Sequence, residues 1–208
     1  MNATESTMRT RAVFHGDDHR LLLEKVWQPD EGKAVICMSN AGIMPSINHM
    51  DFTTLFCVNS LSALNFGSCS IVNVISKMQR KADLTGNPDD LTCPENHAQI
   101  LEVAQACDVF IWAVGSIADT QRKIRPLQDA LFQLLAPFEG KLRVIENEQG
   151  KQGLHPLSPS LRNKPWKLVP FALPKPTAEP PPTDEGNATP TTPRKPRKNA
   201  SATASPTV

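Results

Sequence analysis

The chain has 208 residues, 39% of them hydrophobic and 21% charged, with 22 Lys and Arg against 21 Asp and Glu. That length suits one domain with an appendage, and the even charge argues against a duplex-DNA binder, whose non-specific affinity rests on neutralised phosphates. No apolar run approaches the roughly 18 residues that span a membrane.

The charge is unevenly spread. From Pro174 onward lie five of the basic and three of the acidic residues, which leaves 17 against 18 in the chain before it. Residues 174–208 are mostly Pro, Thr, Ala and Ser, without an aromatic side chain, leucine beyond Leu173 or isoleucine. Such a segment cannot bury enough apolar area to offset its ordering entropy, so it is expected to be a disordered tail. Its basic cluster Pro193–Lys198 offers weak, salt-sensitive contact to nucleic acid or an acidic partner. Residues 1–10 are polar and lack the apolar stretch of a signal peptide, so a flexible N-terminus and a cytoplasmic location are expected. The five cysteines are scattered without a C-x-x-C pair, and most sit in apolar runs. They read as small buried hydrophobes in a reducing compartment.

Residues 11–173 then form a single α/β domain. Arg11–His15 and Arg20–Trp27 flank Gly16-Asp-Asp18 and read as a hairpin. The pair His15 and His19 within it is explained by the turn, with metal binding the lesser alternative. Ala34–Met38 is an apolar strand that ends in the loop Ser39-Asn40-Ala41-Gly42. Asp51–Leu64 has helical spacing, with Asp51 as N-cap and Phe52, Leu55, Phe56, Leu61 and Leu64 as its apolar positions. Ser70–Ile75 is a second strand, and Glu95–Cys107 a helix with Ile100, Val103 and Ala104 on one face. Asp108–Val114 is a third strand. Asp119–Leu135 reads as a helix broken or restarted at Pro126, with Leu127, Ala130, Leu131 and Leu134 inward. Leu142–Ile145 is a fourth strand.

Strands that are apolar throughout and separated by helices indicate a parallel sheet covered on both faces. The expected architecture is three layers, α/β/α, with a four-stranded, mostly parallel sheet, an N-terminal β-hairpin and a disordered tail. Right-handed crossovers bring the loops after Met38, Ile75, Val114 and Ile145 to one edge, where open α/β sheets bind ligands.

Polar residues suited to recognition gather in those loops. Asn40 closes the first strand. Asn73 interrupts the apolar run Ile71–Val74, where its amide either ties down neighbouring backbone or reads a planar ligand edge. His155, before Pro156 in the late loop, is the best proton donor or electrophile near neutral pH. Asp51 serves as a helix cap or as a carboxylate facing the pocket. No Gly-x-Gly-x-x-Gly, Gly-x-x-x-x-Gly-Lys-Ser/Thr or Gly-x-Ser-x-Gly motif follows any strand, and no cofactor or metal is implied.

In order along residues 11–170 stand Arg20 to Trp27, Asn40, Asp51-Phe-Thr53 with Cys57, Val72-Asn73-Val74, Pro94-Glu95-Asn96, Trp112 with Gly115, and Lys151-Gln-Gly153-Leu-His155-Pro-Leu157. This series resembles a bacterial, phage and plasmid family known as domain of unknown function 1643. The first loop departs from that family's Asn-Pro-Ser, reading Asn40-Ala41-Gly42, and one residue stands between Gly153 and His155 where the family has three. More distantly, the order resembles the uracil-DNA glycosylase superfamily. That likeness implies Asn40 in the water-positioning loop, Asn73 reading a base edge, and His155 with Pro156 holding the departing base's oxygen. Lys151 and Gly153 would complete the substrate contacts.

Two functions are therefore carried forward. One is a pocket that binds or acts on a nucleobase, nucleotide or modified nucleic acid, with a nucleobase, nucleotide or single-stranded nucleic acid as the expected partner. The other is a non-catalytic binding or accessory protein of phage or plasmid origin.

Overall fold

The computed structural model of the chain describes residues 2–44, 46–80, 87, 90–115, 124–162 and 164–174. The proposed tail from Lys175 onward lies outside the described residues, as do residues 116–123, where the third helix was expected to begin.

Among the described residues seven strands form one sheet in the order β1-β2-β4-β3-β5-β6-β7. They are β1 (Arg9–His15), β2 (His19–Val26), β3 (Gly32–Asn40), β4 (Phe66–Ile75), β5 (Val109–Trp112), β6 (Leu142–Glu146) and β7 (Lys167–Pro170). Among the described residues the α-helices are α1 (Phe52–Ala63), α2 (Pro94–Ala106) and α3 (Arg125–Leu135). The four strands expected from the sequence form the parallel centre, β4-β3-β5-β6. The expectation of a four-stranded, mostly parallel sheet is nevertheless corrected to seven strands, partly parallel. The hairpin joins through antiparallel β2 and β4, and β7 pairs antiparallel with β6. Both additions satisfy main-chain groups that the outer parallel strands would otherwise leave open.

Alternation along β3 builds two cores. Ala34, Ile36 and Met38 pack with Cys57 and Leu61 of α1. Val35 and Cys37 pack with Ile100 and Ala104 of α2 and with Leu131, Phe132 and Leu135 of α3. The helices therefore cover opposite faces. Lys141 closes the end of α2, its Nζ donating to the carbonyls of Ala104, Gln105 and Cys107 at 3.3, 3.0 and 2.7 Å.

The helix faces differ in part from those expected. In α1 the inward stripe is Thr54, Cys57, Val58 and Leu61. Phe52 is 73% exposed and Leu55 is exposed as well, while Phe56 is half-buried. Leu61 is inward as expected, but apolar spacing alone selects Phe52, Leu55 and Phe56 over Thr54, Cys57 and Val58, because two overlapping i, i+3, i+4 series run through this segment. Asp51 caps the helix as expected, its Oδ1 accepting from Thr54 N–H at 2.7 Å. Asn65, at φ 61°, follows its end. In α3, Leu131, Phe132 and Leu135 are buried while Ala130 is exposed. Pro126 stands in the first turn of α3, where its missing N–H costs nothing.

All five cysteines are free, and four are buried. Burial pushes the Cys37 thiol far up and that of Cys107 up to about 11. The Cys57 thiol is raised well above its ordinary value, first by its hydrogen bond with Cys69.

Gly67 allows the turn after β2 to close against β4. Its carbonyl accepts from Trp27 and Gln28 N–H at 3.0 Å each, and a Cβ there would stand 1.8 Å from the Gln28 carbonyl oxygen. Gly67→Ala is expected to destabilise the fold by on the order of 3 kcal/mol, as overpacking against rigid backbone does. Gly140→Ala, which meets no atom within 4 Å, is expected to change stability by less than about 0.5 kcal/mol. Denaturant midpoints of the two variants check the contrast.

Candidate functional site

The loop after β6 is held by its own polar groups. Asn147 Oδ1 accepts from the N–H groups of Gln149 and Lys151 at 3.1 and 2.9 Å. Glu146 accepts from Gln152 Nε2 at 2.7 Å and from Lys167 Nζ at 2.6 Å, which keeps its carboxyl below the usual range. Gly153 turns the chain at φ 70°, a region that a side chain would strain. His155 follows. Its Nδ1 accepts from Leu157 N–H at 3.2 Å, so the neutral ring carries its proton on Nε2. Burial lowers its pKa below the ordinary 6.5. At the end of β5, Gly115 has φ +71°, and a Cβ there would stand 3.2 Å from His155 Cβ. The late loop thus docks directly on the tip of β5.

Between this loop, β5, β6 and α3 lies a cavity of about 660 Å³. Trp112, Phe132 and Phe171 form one wall. The ring centres of Trp112 and Phe132 are 4.7 Å apart, and the Trp112 and Phe171 rings are stacked, 8° from parallel, at 6.4 Å. Ser39, Gln128, Lys151, Gln152, His155 and Ser158 supply polar groups. None of the described residues that line it is acidic.

A second polar group stands on the other side of β3. Asn73 is 1% exposed and lies on β4, in register with Met38. Its Oδ1 accepts from Arg20 Nη2 at 3.4 Å, and its own carbonyl accepts from Asn96 Nδ2 at 3.0 Å. Arg20, on β2, is itself buried, and desolvation lowers its pKa against an opposing pull from Asp51.

The residues singled out from the sequence fall into two sets. Lys151, Gly153 and His155 line the cavity. Pro156 is buried beside it, and Asn40 touches it indirectly, its Oδ1 accepting from the lining Ser39 hydroxyl at 3.2 Å. Asn73 and Asp51 belong to the Arg20 side. The aromatic wall, Trp112, Phe132 and Phe171, comes from three separate elements. Arg20 and Asn96 were not singled out as site residues. Asn96 sits in the first turn of a helix, where Asn is unremarkable, and Arg20 lies in a strand that reads as a polar-edged hairpin. A charged residue directly before the apolar run Leu21–Leu23 was the available signal. His19 hydrogen-bonds Ser76 Oγ through Nδ1 at 2.8 Å, and no group of three or more metal-ligating side chains occurs among the described residues.

The molecule is an open α/β sheet with helices on both faces and a polar, aromatic-walled cavity at the carboxyl ends of its parallel strands. The chain belongs to the family described as protein of unknown function (DUF1643), which matches residues 20–157. That span begins at Arg20 and includes Asn73, Gly115 and His155. No curated protein and no solved structure matches the chain. No helix among the described residues is long and apolar enough to cross a membrane.

The His155 ring is expected to titrate below pH 6.5 in the folded chain, with its neutral form protonated at Nε2, as read from the ring nitrogen shifts in an NMR pH titration. The shift makes the neutral form part of the fold's stability. That contribution is complete above about pH 6.5 and is lost as pH falls through the folded-state value. Asp51→Ala removes the cap of α1 and is expected to cost about 1 kcal/mol in thermal or denaturant unfolding.

Proposed function

We propose that this protein recognises a nucleobase-bearing ligand, a base, nucleoside or nucleotide, in the cavity between β5, β6 and α3. The observation that carries this reading is an aromatic wall sharing one cavity with a histidine held as a neutral hydrogen-bond donor. A heteroaromatic ring offers its face to such a wall and its carbonyl edge to such a donor. His155 donates from Nε2 to a carbonyl oxygen of the base. Lys151 at the rim supplies a cation, Gly153 lets the loop backbone approach closely, and buried Pro156 stiffens the chain behind His155.

The same donor suits a glycosylase-like step, in which negative charge grows on the oxygen of a departing base. Such a step also requires a group that activates water. Asp51 Oδ1 accepts from Thr54 N–H, and the residue lies outside the cavity lining, which is free of carboxylates among the described residues. That arrangement favours binding without turnover, the accessory-protein reading, with the ligand class unchanged.

Titration of the full chain with nucleobases, nucleosides, nucleotides and short single-stranded DNA, followed by thermal shift and tryptophan fluorescence, tests the proposal. A ligand of this class at a hundredfold excess over its Kd is expected to add about 2.7 kcal/mol of apparent stability. His155→Gln is expected to weaken binding about tenfold at little cost in melting temperature. Affinity is expected to be full above pH 6.5 and to decline below it as the ring gains its second proton. An unchanged shift in His155→Gln, or none with any ligand of the class, overturns the reading.

A further inference from the structure

β2 carries an arginine into the fold with no acid to meet it. Arg20 is 7% exposed, and among the described residues no carboxylate lies within ion-pair distance. Asp51 acts on its charge only from farther away. Nη1 has the thioether of Met44 at 3.8 Å, Nη2 has Asn73 Oδ1 at 3.4 Å, and Nε has no acceptor. A thioether is a poor acceptor and 3.4 Å is a long bond, so the guanidinium is weakly satisfied throughout. Asn73, buried beside it, leaves Nδ2 with no acceptor at all. A buried cation ordinarily retains a partner that replaces its lost hydration.

The surroundings are short of negative charge as well. Lys25 on the same strand is fully buried, and its Nζ donates to Thr10 Oγ1 and the Ile47 carbonyl at 3.0 and 3.1 Å. Ile47 and Met44 belong to one loop, between β3 and α1. That loop therefore lies over two buried cations whose partners are neutral.

We infer that Arg20 and Asn73 form an oxyanion subsite for a phosphoryl group, which enters by displacing the Met44 thioether. The guanidinium fork matches phosphate oxygens bidentately, and the Asn73 amide adds a further donor. Three guanidinium nitrogens and one amide nitrogen exceed what one planar carboxylate pairs with at a single edge, whereas a phosphoryl group presents three oxygens. Positive potential under a low-dielectric cover favours a doubly charged ligand. The subsite does not depend on the His155 cavity, because Arg20, Asn73 and Met44 all lie outside its lining.

The test follows the Arg20 Nε–H resonance while the full chain is titrated with inorganic phosphate at constant ionic strength. A saturable shift is expected with phosphate and not with acetate or chloride. Asn73→Leu is expected to weaken binding about tenfold and Met44→Ala, which uncovers the guanidinium, to tighten it several-fold; in Arg20→Gln, which lacks that resonance, calorimetric titration with phosphate is expected to detect no binding. Should Arg20→Gln fail to fold, the Asn73 and Met44 variants carry the test. A nucleoside monophosphate acting at far lower concentration than inorganic phosphate identifies the source as a nucleotide, and equal potency identifies a free oxyanion. A response shared by all three anions, or phosphate binding unchanged in both the Asn73 and Met44 variants, overturns the inference.

Discussion

The rest of the molecule depends on β3 lying inside the sheet, with a parallel neighbour on each side. From β3 the chain crosses over α1 to β4, then returns over α2 to β5 on the opposite flank. The helices that follow β3 and β5 therefore lie on opposite faces, an arrangement that opens a crevice at the carboxyl edge. This is possible only because β3 is apolar on both faces. Ala34, Ile36 and Met38 serve the α1 side, and Val35 and Cys37 the α2 and α3 side. A polar residue at any of these positions would leave an unpaired group in a dry core.

Across the sheet the treatment of polar groups with little exposure is uneven. Glu146 is met by two donors, Asn147 by two backbone N–H groups, and Lys141 by three carbonyls. Arg20 and Asn73, by contrast, keep donors without acceptors. The first group holds loops and helix ends in position. The second is clustered on β2 and β4 beneath a loop whose contact with Arg20 is a single weak one. Trp27 Nε1, Asn96 Oδ1 and His97 Nε2 are also without partners, but Arg20 alone among these residues is a permanent cation, so its deficit is the costliest to leave unmet.

The fold was legible where one element's own pattern decides it. The apolar runs at Ala34–Met38, Ser70–Ile75, Asp108–Val114 and Leu142–Ile145 lie within the four parallel strands or at their ends. Asp51 caps α1 as its position suggests. β7 escaped notice because Lys167–Pro170 is four residues ending in proline, acceptable at an edge but indistinguishable from loop without the β6 main chain to pair with. The α1 stripe was misplaced because Phe52 and Phe56 outweigh Thr54 and Cys57 in hydropathy, although it is Cys57 that meets Cys69 across the core.

Of the candidate site, sequence alone determined the cast at the sheet edge: Asn40, Asn73, and the Lys151 to Leu157 loop with His155. It determined them because each interrupts or follows an apolar run, a local property. Only the tertiary structure decided that Lys151, Gly153 and His155 share a cavity while Asn73 turns to Arg20. It alone brought together Trp112, Phe132 and Phe171 from β5, α3 and the segment after β7. Residues in contact across strands are set by pairing order and by the face each side chain takes, and one residue of register reverses that face. No local pattern encodes either quantity.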